Sequence, residues 1–239
     1  MSRLTTQVFN CIKDYKLIEP NDKIMVGLSG GKDSFALLRL LSLLKKSIGF
    51  ELFACHVTLR KKVEISYLNM LESFCNNLEI PLFIRKTDIL DYIENHKLKK
   101  DICFLCAHYR RKELFLEMEK QKIYKIALGH HRNDAIETFL MNIFYSAQTC
   151  TMMPKQSLFR EKITLIRPLY TTNEKQILSY VKTNNIPVFE YNCGNSKISK
   201  RKEIKDMIAN LTSENSKIEY NIFNSMHNIN LDYLPKKEK

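Results

Sequence analysis

Apolar side chains between residues 4 and 15 return every three to four positions, which predicts an opening amphipathic helix. The next apolar segment is different. Lys23-Ile24-Met25-Val26-Gly27-Leu28 is short and continuously apolar, and Pro20-Asn21-Asp22 precedes it as a turn, so it reads as a buried strand. Residues 35–46 carry leucines on more than one helical face and predict a largely buried helix. The alternation then continues. Strands are expected at 52–57, 82–85, 124–128 and 164–166, and helices at 65–76, 106–120, 134–145 and 174–183. Strands alternating with helices imply an α/β fold with a doubly wound parallel sheet. After Pro187 the pattern changes to two polar helices, 198–211 and 216–226, followed by a lysine-rich tail expected to fray. The expected organisation is one α/β domain over residues 1–190, with an N-terminal helix, and a helical C-terminal extension over 191–239.

Composition narrows the class without naming a function. Of 239 residues, 44% are hydrophobic and 27% charged, enough apolar content for a real core. No apolar run approaches the roughly 18 residues of a membrane helix, and Met1 to Asn10 lack the charged start and apolar stretch of a signal peptide. A cytoplasmic protein with no membrane partner is expected. The net charge of +12 fits either a lysine-rich solubility surface or a polyanionic partner. Seven cysteines, an odd number, argue against a disulfide framework. Cys11, Cys55 and Cys75 lie among apolar residues and read as small buried hydrophobes.

The first chemical signal follows the first strand. Ser29-Gly30-Gly31-Lys32-Asp33-Ser34 joins that strand to a helix. Gly30 and Gly31 let the backbone turn tightly and present bare N–H groups to an anion. The helix adds its positive end and Lys32 a full charge, while Ser29 and Ser34 offer hydroxyls. Asp33 is a candidate Mg²⁺ ligand or helix cap. The hexapeptide reads as a phosphate-binding loop, although it is not a Walker A sequence. A second segment, Gly129-His130-His131-Arg132-Asn133-Asp134, follows the strand at 124–128 and brings a flexible glycine and polar groups to the same sheet edge. Asp134 is a second candidate cap or Mg²⁺ ligand.

Cys103-Phe104-Leu105-Cys106 places two thiols within one turn. Such a pair can be a redox dithiol, half a zinc site, part of an iron–sulfur cluster, or two packed cysteines. No second C-x-x-C completes a zinc ribbon, and the motif follows a charged linker rather than opening a thioredoxin-like unit. Cys193, in Asn192-Cys193-Gly194-Asn195, stands in a turn-like context. Three thiolates would leave one iron of a cubane cluster open.

In this order, SGGKDS, C-x-x-C with Arg110-Arg111, GHHRND, Ile166-Arg167-Pro168-Leu169 and Cys193-Gly194 resemble the tRNA 2-thiocytidine synthetases. These lie within the PP-loop (N-type ATP pyrophosphatase) superfamily, and the likeness runs from about residue 5 to about residue 230. The resemblance implies an enzyme using ATP and Mg²⁺ to adenylylate the 2-oxygen of cytidine 32 in tRNA. Sulfur carried on a [4Fe–4S] cluster then replaces that oxygen, giving 2-thiocytidine, AMP and pyrophosphate. Cys103, Cys106 and Cys193 map onto the cluster ligands, Ser29 to Ser34 with Gly129 and His130 onto the nucleotide site, and Asp134 onto a catalytic position. It also implies a homodimer and a sulfur donor such as a cysteine desulfurase. Arg110 and Arg111, and the strip Lys197, Lys200, Arg201, Lys202 and Lys205, are candidate tRNA contacts. The chain departs from the family pattern at Asn133, where a second aspartate is usual, in a shorter segment before Cys193, and at Thr151-Met152-Met153-Pro154-Lys155. Another tRNA-modifying PP-loop enzyme, or a non-catalytic RNA-binding member, is the alternative.

Overall fold

A computed structural model describes residues 2–96, 102–189 and 200–234. The chain divides into two compact units, Met1–His131 with Met153–Lys197, and Arg132–Met152 with Ile198–Lys239.

The first unit opens with α1 (Arg3–Asp14), whose N-terminus is capped by Ser2 accepting from the Thr5 N–H at 3.2 Å. Leu4, Val8, Cys11 and Ile12 form its buried stripe. There follow β1 (Lys23–Gly27), α2 (Lys32–Ile48), β2 (Glu51–Val57), α3 (Ile65–Asn77), β3 (Leu82–Arg85), α4 (Ile89–Asn95), α5 (Ile102–Lys120) and β4 (Lys125–Ala127). After the second unit's first segment come β5 (Lys155–Leu158), β6 (Ile163–Ile166) and α7 (Glu174–Thr183). α7 is held at its start by a capping box between Asn173 and Gln176.

The sheet order is β3-β2-β1-β4-β6-β5. β1 pairs parallel with both β2 and β4, and β4 parallel with β6. The expected doubly wound sheet is present, with one correction: β5, unanticipated, pairs antiparallel to β6 at the edge. Its four residues, Lys155-Gln156-Ser157-Leu158, carry no apolar run, because an edge strand exposed on one side needs none. Met25, Cys55, Ile126 and Leu165, one from each of four strands, pack on one face of the sheet against Leu114 and Met118 of α5. Alternation along each strand sends Ile24, Val26 and Ala54, all fully buried, to the other face.

The chain runs outward from β1 to β3 and then returns to place β4 on β1's other side. That reversal makes the C-terminal ends of β1 and β4 a topological switch point, where α/β sheets bind ligands.

The second unit contains α6 (Arg132–Ser146), α8 (Lys200–Glu214), α9 (Ile218–Ser225) and a short 3-10 turn at Leu231–Tyr233. Ile204, Ile208 and Phe223 are its buried apolar residues from α8 and α9. No helix among the described residues is long and apolar enough to cross a membrane. The tail from residue 235, expected to fray, lies outside the described residues.

Candidate active site

Val26 of β1 stands in register with Ala54 of β2 and Ala127 of β4, so the loops leaving β1 and β4 start side by side. The first is wired around one hydroxyl. Ser34 Oγ accepts from the Ser29 N–H at 3.1 Å and donates to the Gly31 carbonyl at 2.9 Å, while Ser29 Oγ stands 3.1 Å away. Gly30 lies at φ +90°, the left-handed region, and a Cβ there would meet Tyr67 Oη at 2.3 Å. Gly30 also accepts from the Phe189 N–H at 3.0 Å, and the Phe189 ring sits 4.2 Å from that of Tyr67. The loop is thus closed by residues from two other parts of the unit.

Lys32 opens α2. Its Nζ lies 3.2 Å from Asp33 and 3.0 Å from Glu174 at the start of α7. Burial pulls the ammonium down, but Asp33 and Glu174 outweigh it and hold the group above its ordinary value. The second loop comes so close that a Cβ on Gly129 would stand 3.0 Å from the Asp33 carbonyl carbon and 3.1 Å from the Ser34 nitrogen. His131, buried, brings Nε2 to 3.8 Å from Asp33 Oδ1. Arg167 is also buried. It donates to the Met153 carbonyl, to His130 Nδ1 at 3.4 Å and to Gln156 Oε1 at 3.5 Å, which ties the second loop to the β5–β6 pair.

Beside the first loop is a cavity of about 790 Å³. Ser29, Gly31, Lys32 and Asp33 line one part of it; Cys103, Cys106 and Arg110 of α5 line another; His56, Tyr67 and Phe189 complete the wall. α5 begins at Ile102, not near Cys106 as expected, so both cysteines ride on the helix. Their i, i+3 spacing puts them on one face of it. Cys103 is exposed, Cys106 half-buried, and Arg110 Nη2 reaches Cys106 Sγ at 3.9 Å. In contrast, burial pushes the thiol of Cys11 up to about 11 and those of Cys55 and Cys75 up to about 12, so these three are inert packing groups.

Family comparison decides what these residues belong to. The PP-loop domain model matches residues 2–211. The chain is 35% identical over 229 residues to tRNA-cytidine(32) 2-sulfurtransferase 1 of Francisella philomiragia, covering 95% of this chain and 90% of that protein. It is 33% identical over 240 residues to tRNA-cytidine(32) 2-sulfurtransferase 2 of Francisella tularensis, covering 98% and 94%. The chain belongs to the tRNA-cytidine(32) 2-sulfurtransferase family of PP-loop proteins. Among solved structures it is similar to the U34-tRNA thiolase NcsA from Methanococcus maripaludis with its [4Fe–4S] cluster, at TM-score 0.79 and 25% identity, over 97% of this chain and 80% of that one. The ammonia-dependent NAD synthetase of Campylobacter jejuni shares the fold at TM-score 0.52 and 15% identity, over the full length of both.

For this sulfurtransferase-family chain the structure puts Ser29, Gly31, Lys32 and Asp33 of the proposed nucleotide loop on one cavity with two of the three proposed cluster cysteines, and Gly129, followed by His130, against that loop's Asp33. Cys193 and Lys197 lie outside the described residues. Among the described residues no group of three His, Cys, Asp or Glu is placed to hold a metal ion. The two described thiols suit a cluster: they share a helix face and both stand on the cavity wall. Asp33, on the same wall, suits a hard cation beside a nucleotide. Asp134 belongs to the second unit, where it lies 3.3 Å from Arg201 of α8; Arg201 also reaches Glu137 at 3.6 Å. Asn133 donates to Glu219 of α9 within the same unit, and Lys200 stands 4.4 Å over the Tyr145 ring.

Sequence reasoning passed over His56, Tyr67 and Glu174. His56 had a signal, a polar residue inside an apolar strand. Its Nδ1 lies 2.7 Å from the Leu28 carbonyl, which only accepts, so Nδ1 carries the proton. Burial, and to a lesser degree Arg110, lower its pKa against the raising effect of that hydrogen bond. Tyr67 and Glu174 had no local signal.

Proposed function

We propose that the chain thiolates cytidine 32 of tRNA to 2-thiocytidine at the expense of ATP. The observation that carries this reading is a single cavity walled both by the phosphate loop and by Cys103 and Cys106. An ATP-activated base and a sulfur chemistry need to meet in one place, and the family of the chain supplies the reaction.

The residues divide the work. The N–H groups around Gly30 and Gly31, the N-terminal end of α2 and the Lys32 charge hold the departing phosphates. Mg²⁺ on Asp33 would spread the negative charge of those phosphates. The cytidine 2-oxygen attacks the α-phosphorus; a P–O bond forms to the base and the bond to pyrophosphate breaks. The 2-oxygen, a poor leaving group, becomes part of AMP. A sulfur nucleophile then forms a C–S bond at C2, the C–O bond breaks, and AMP departs with the oxygen. Cys103, Cys106 and Cys193 would hold a [4Fe–4S] cluster, which supplies an iron with an open position for sulfur. Arg110 orients Cys106, and His56, neutral, fixes the strand end beneath the cavity through Leu28. The sulfur itself comes from a donor such as a cysteine desulfurase, and the protein works as a cytoplasmic homodimer.

Nucleoside mass spectrometry of tRNA from a strain lacking the gene tests this reading where the parent contains 2-thiocytidine. Loss of that nucleoside is expected, with restoration by the intact gene. Unchanged 2-thiocytidine, or loss of 2-thiouridine in its place, would overturn it.

A further inference from the structure

α5 presents a second face to a second cavity. Its cysteines and Arg110 look onto the site above, while His108, Arg111, Lys112 and Phe115 line a groove of about 760 Å³ between the helix and the β5–β6 hairpin. Leu158 and Leu165 are part of the same lining, and the groove is rimmed by Tyr124, Phe159 and Lys162.

Two features of this groove point to its occupant. The first is its aromatic surface. Phe159 is 60% exposed and Tyr124 57%, and Phe115 braces Phe159 edge-on at 5.4 Å. Just outside the lining, Phe104, 56% exposed and next to Cys103 in the chain, lies nearly parallel to the His108 ring. Phe159 sits at the hairpin turn, where it, Arg160 and Glu161 all adopt positive φ. The second is charge. Arg111, Lys112 and Lys162 are exposed and form no ion pair among the described residues, against the single carboxylate of Glu119. Interleaved rings and unpaired cations are the chemistry of single-stranded nucleic-acid recognition: bases stack and phosphates pair. A second copy of the chain fits poorly. A two-fold contact would set the same cations against each other on a protein already carrying +12.

We propose that this groove binds the single-stranded RNA flanking the base that reacts. Resting on the tRNA reading above, it gives α5 two roles: one face holds the chemistry, and another face of the same helix carries the flanking strand. Along the axis of α5, Cys106 and Phe115 are about 14 Å apart, a distance that a few nucleotides of single strand can span.

The test uses the full chain, an unmodified tRNA transcript and its isolated anticodon stem-loop, with binding followed by fluorescence anisotropy across a salt series. Phe159→Ala is expected to weaken stem-loop binding about tenfold. The triple variant Arg111→Gln, Lys112→Gln, Lys162→Gln is expected to lower the slope of log K against log salt by about 2. Lys46→Glu, an exposed cation on α2, serves as the control and should leave both unchanged. ATP binding and melting temperature should stay as in the wild type for all of them. Unaltered stem-loop affinity and slope would overturn the proposal. So would a change in sedimentation with RNA binding intact, which would assign the groove to a second copy. Failure of the thiolation reading registers separately, as a wild-type protein that binds the stem-loop through this groove but forms no 2-thiocytidine.

Discussion

Gly129 passes so close to the backbone of Asp33 that a side chain would crowd it: its Cβ would stand 3.0 Å from the Asp33 carbonyl carbon. This contact docks the loop after β4 onto the start of α2. The atoms opposed to the missing Cβ are backbone, which has no rotamer to move aside. Gly129→Ala should therefore push the two loops apart and weaken ATP binding, by about tenfold or more for a shift that misplaces the phosphate contacts. Isothermal titration with ATP measures it, and an unchanged dissociation constant would show that the loops tolerate separation.

Lys32 is held between Asp33 at 3.2 Å and Glu174 at 3.0 Å. The phosphates of an incoming nucleotide compete with these carboxylates for the same ammonium. Lys32→Ala removes a charge-assisted bond and is expected to weaken ATP binding on the order of tenfold to a hundredfold. Glu174→Gln should act in the opposite direction, tightening pyrophosphate and ATP binding a few fold at low salt. If Glu174→Gln weakens binding instead, the glutamate positions Lys32 rather than competing for it.

Both loops were legible in the sequence because each is a glycine-bearing polar segment directly after an apolar strand. The elements that were legible share that property of local contrast; β3 and α7 begin and end where the pattern places them. β5 was not, since four edge residues exposed on one side need no apolar signature. α4, Ile89–Asn95, is too short for a helical period to repeat. Tyr67 and Glu174 were illegible for another reason. Their roles exist only through contacts with Gly30 and Lys32, which lie far away along the chain, and no local pattern encodes such a meeting. The partnership of Cys103 and Cys106 with the loop was a matter of resemblance until the fold put them around one cavity.

That shared cavity separates two kinds of loss. Cys103→Ala or Cys106→Ala removes a thiol from the cavity wall without touching Ser29 to Ser34. Each variant should bind ATP as the wild type does, yet lose 2-thiocytidine formation and the iron bound after anaerobic reconstitution. Cys193→Ala is expected to behave in the same way. Iron analysis, an ATP titration and nucleoside mass spectrometry on one preparation separate the outcomes. Full iron content with retained thiolation in any of the three would remove that cysteine from the site.

His56 links stability to pH in a defined direction. Burial is the largest influence on it and holds its pKa below the ordinary 6.5, although its bond to the Leu28 carbonyl works the other way. As pH falls through about 6.5, the unfolded chain takes up the proton first, and the folded chain does so only at lower pH. The unfolded state then binds more protons, so stability present above pH 6.5 is lost as pH falls toward the folded value. His56→Gln keeps a donor for Leu28 but cannot titrate. Its melting temperature should fall less steeply between pH 7 and pH 5 than that of the wild type, even if it starts lower at pH 7. Parallel melting curves for the two proteins across that window would mean that His56 is protonated as readily when folded as when unfolded, and that its burial beneath the cavity carries no electrostatic cost.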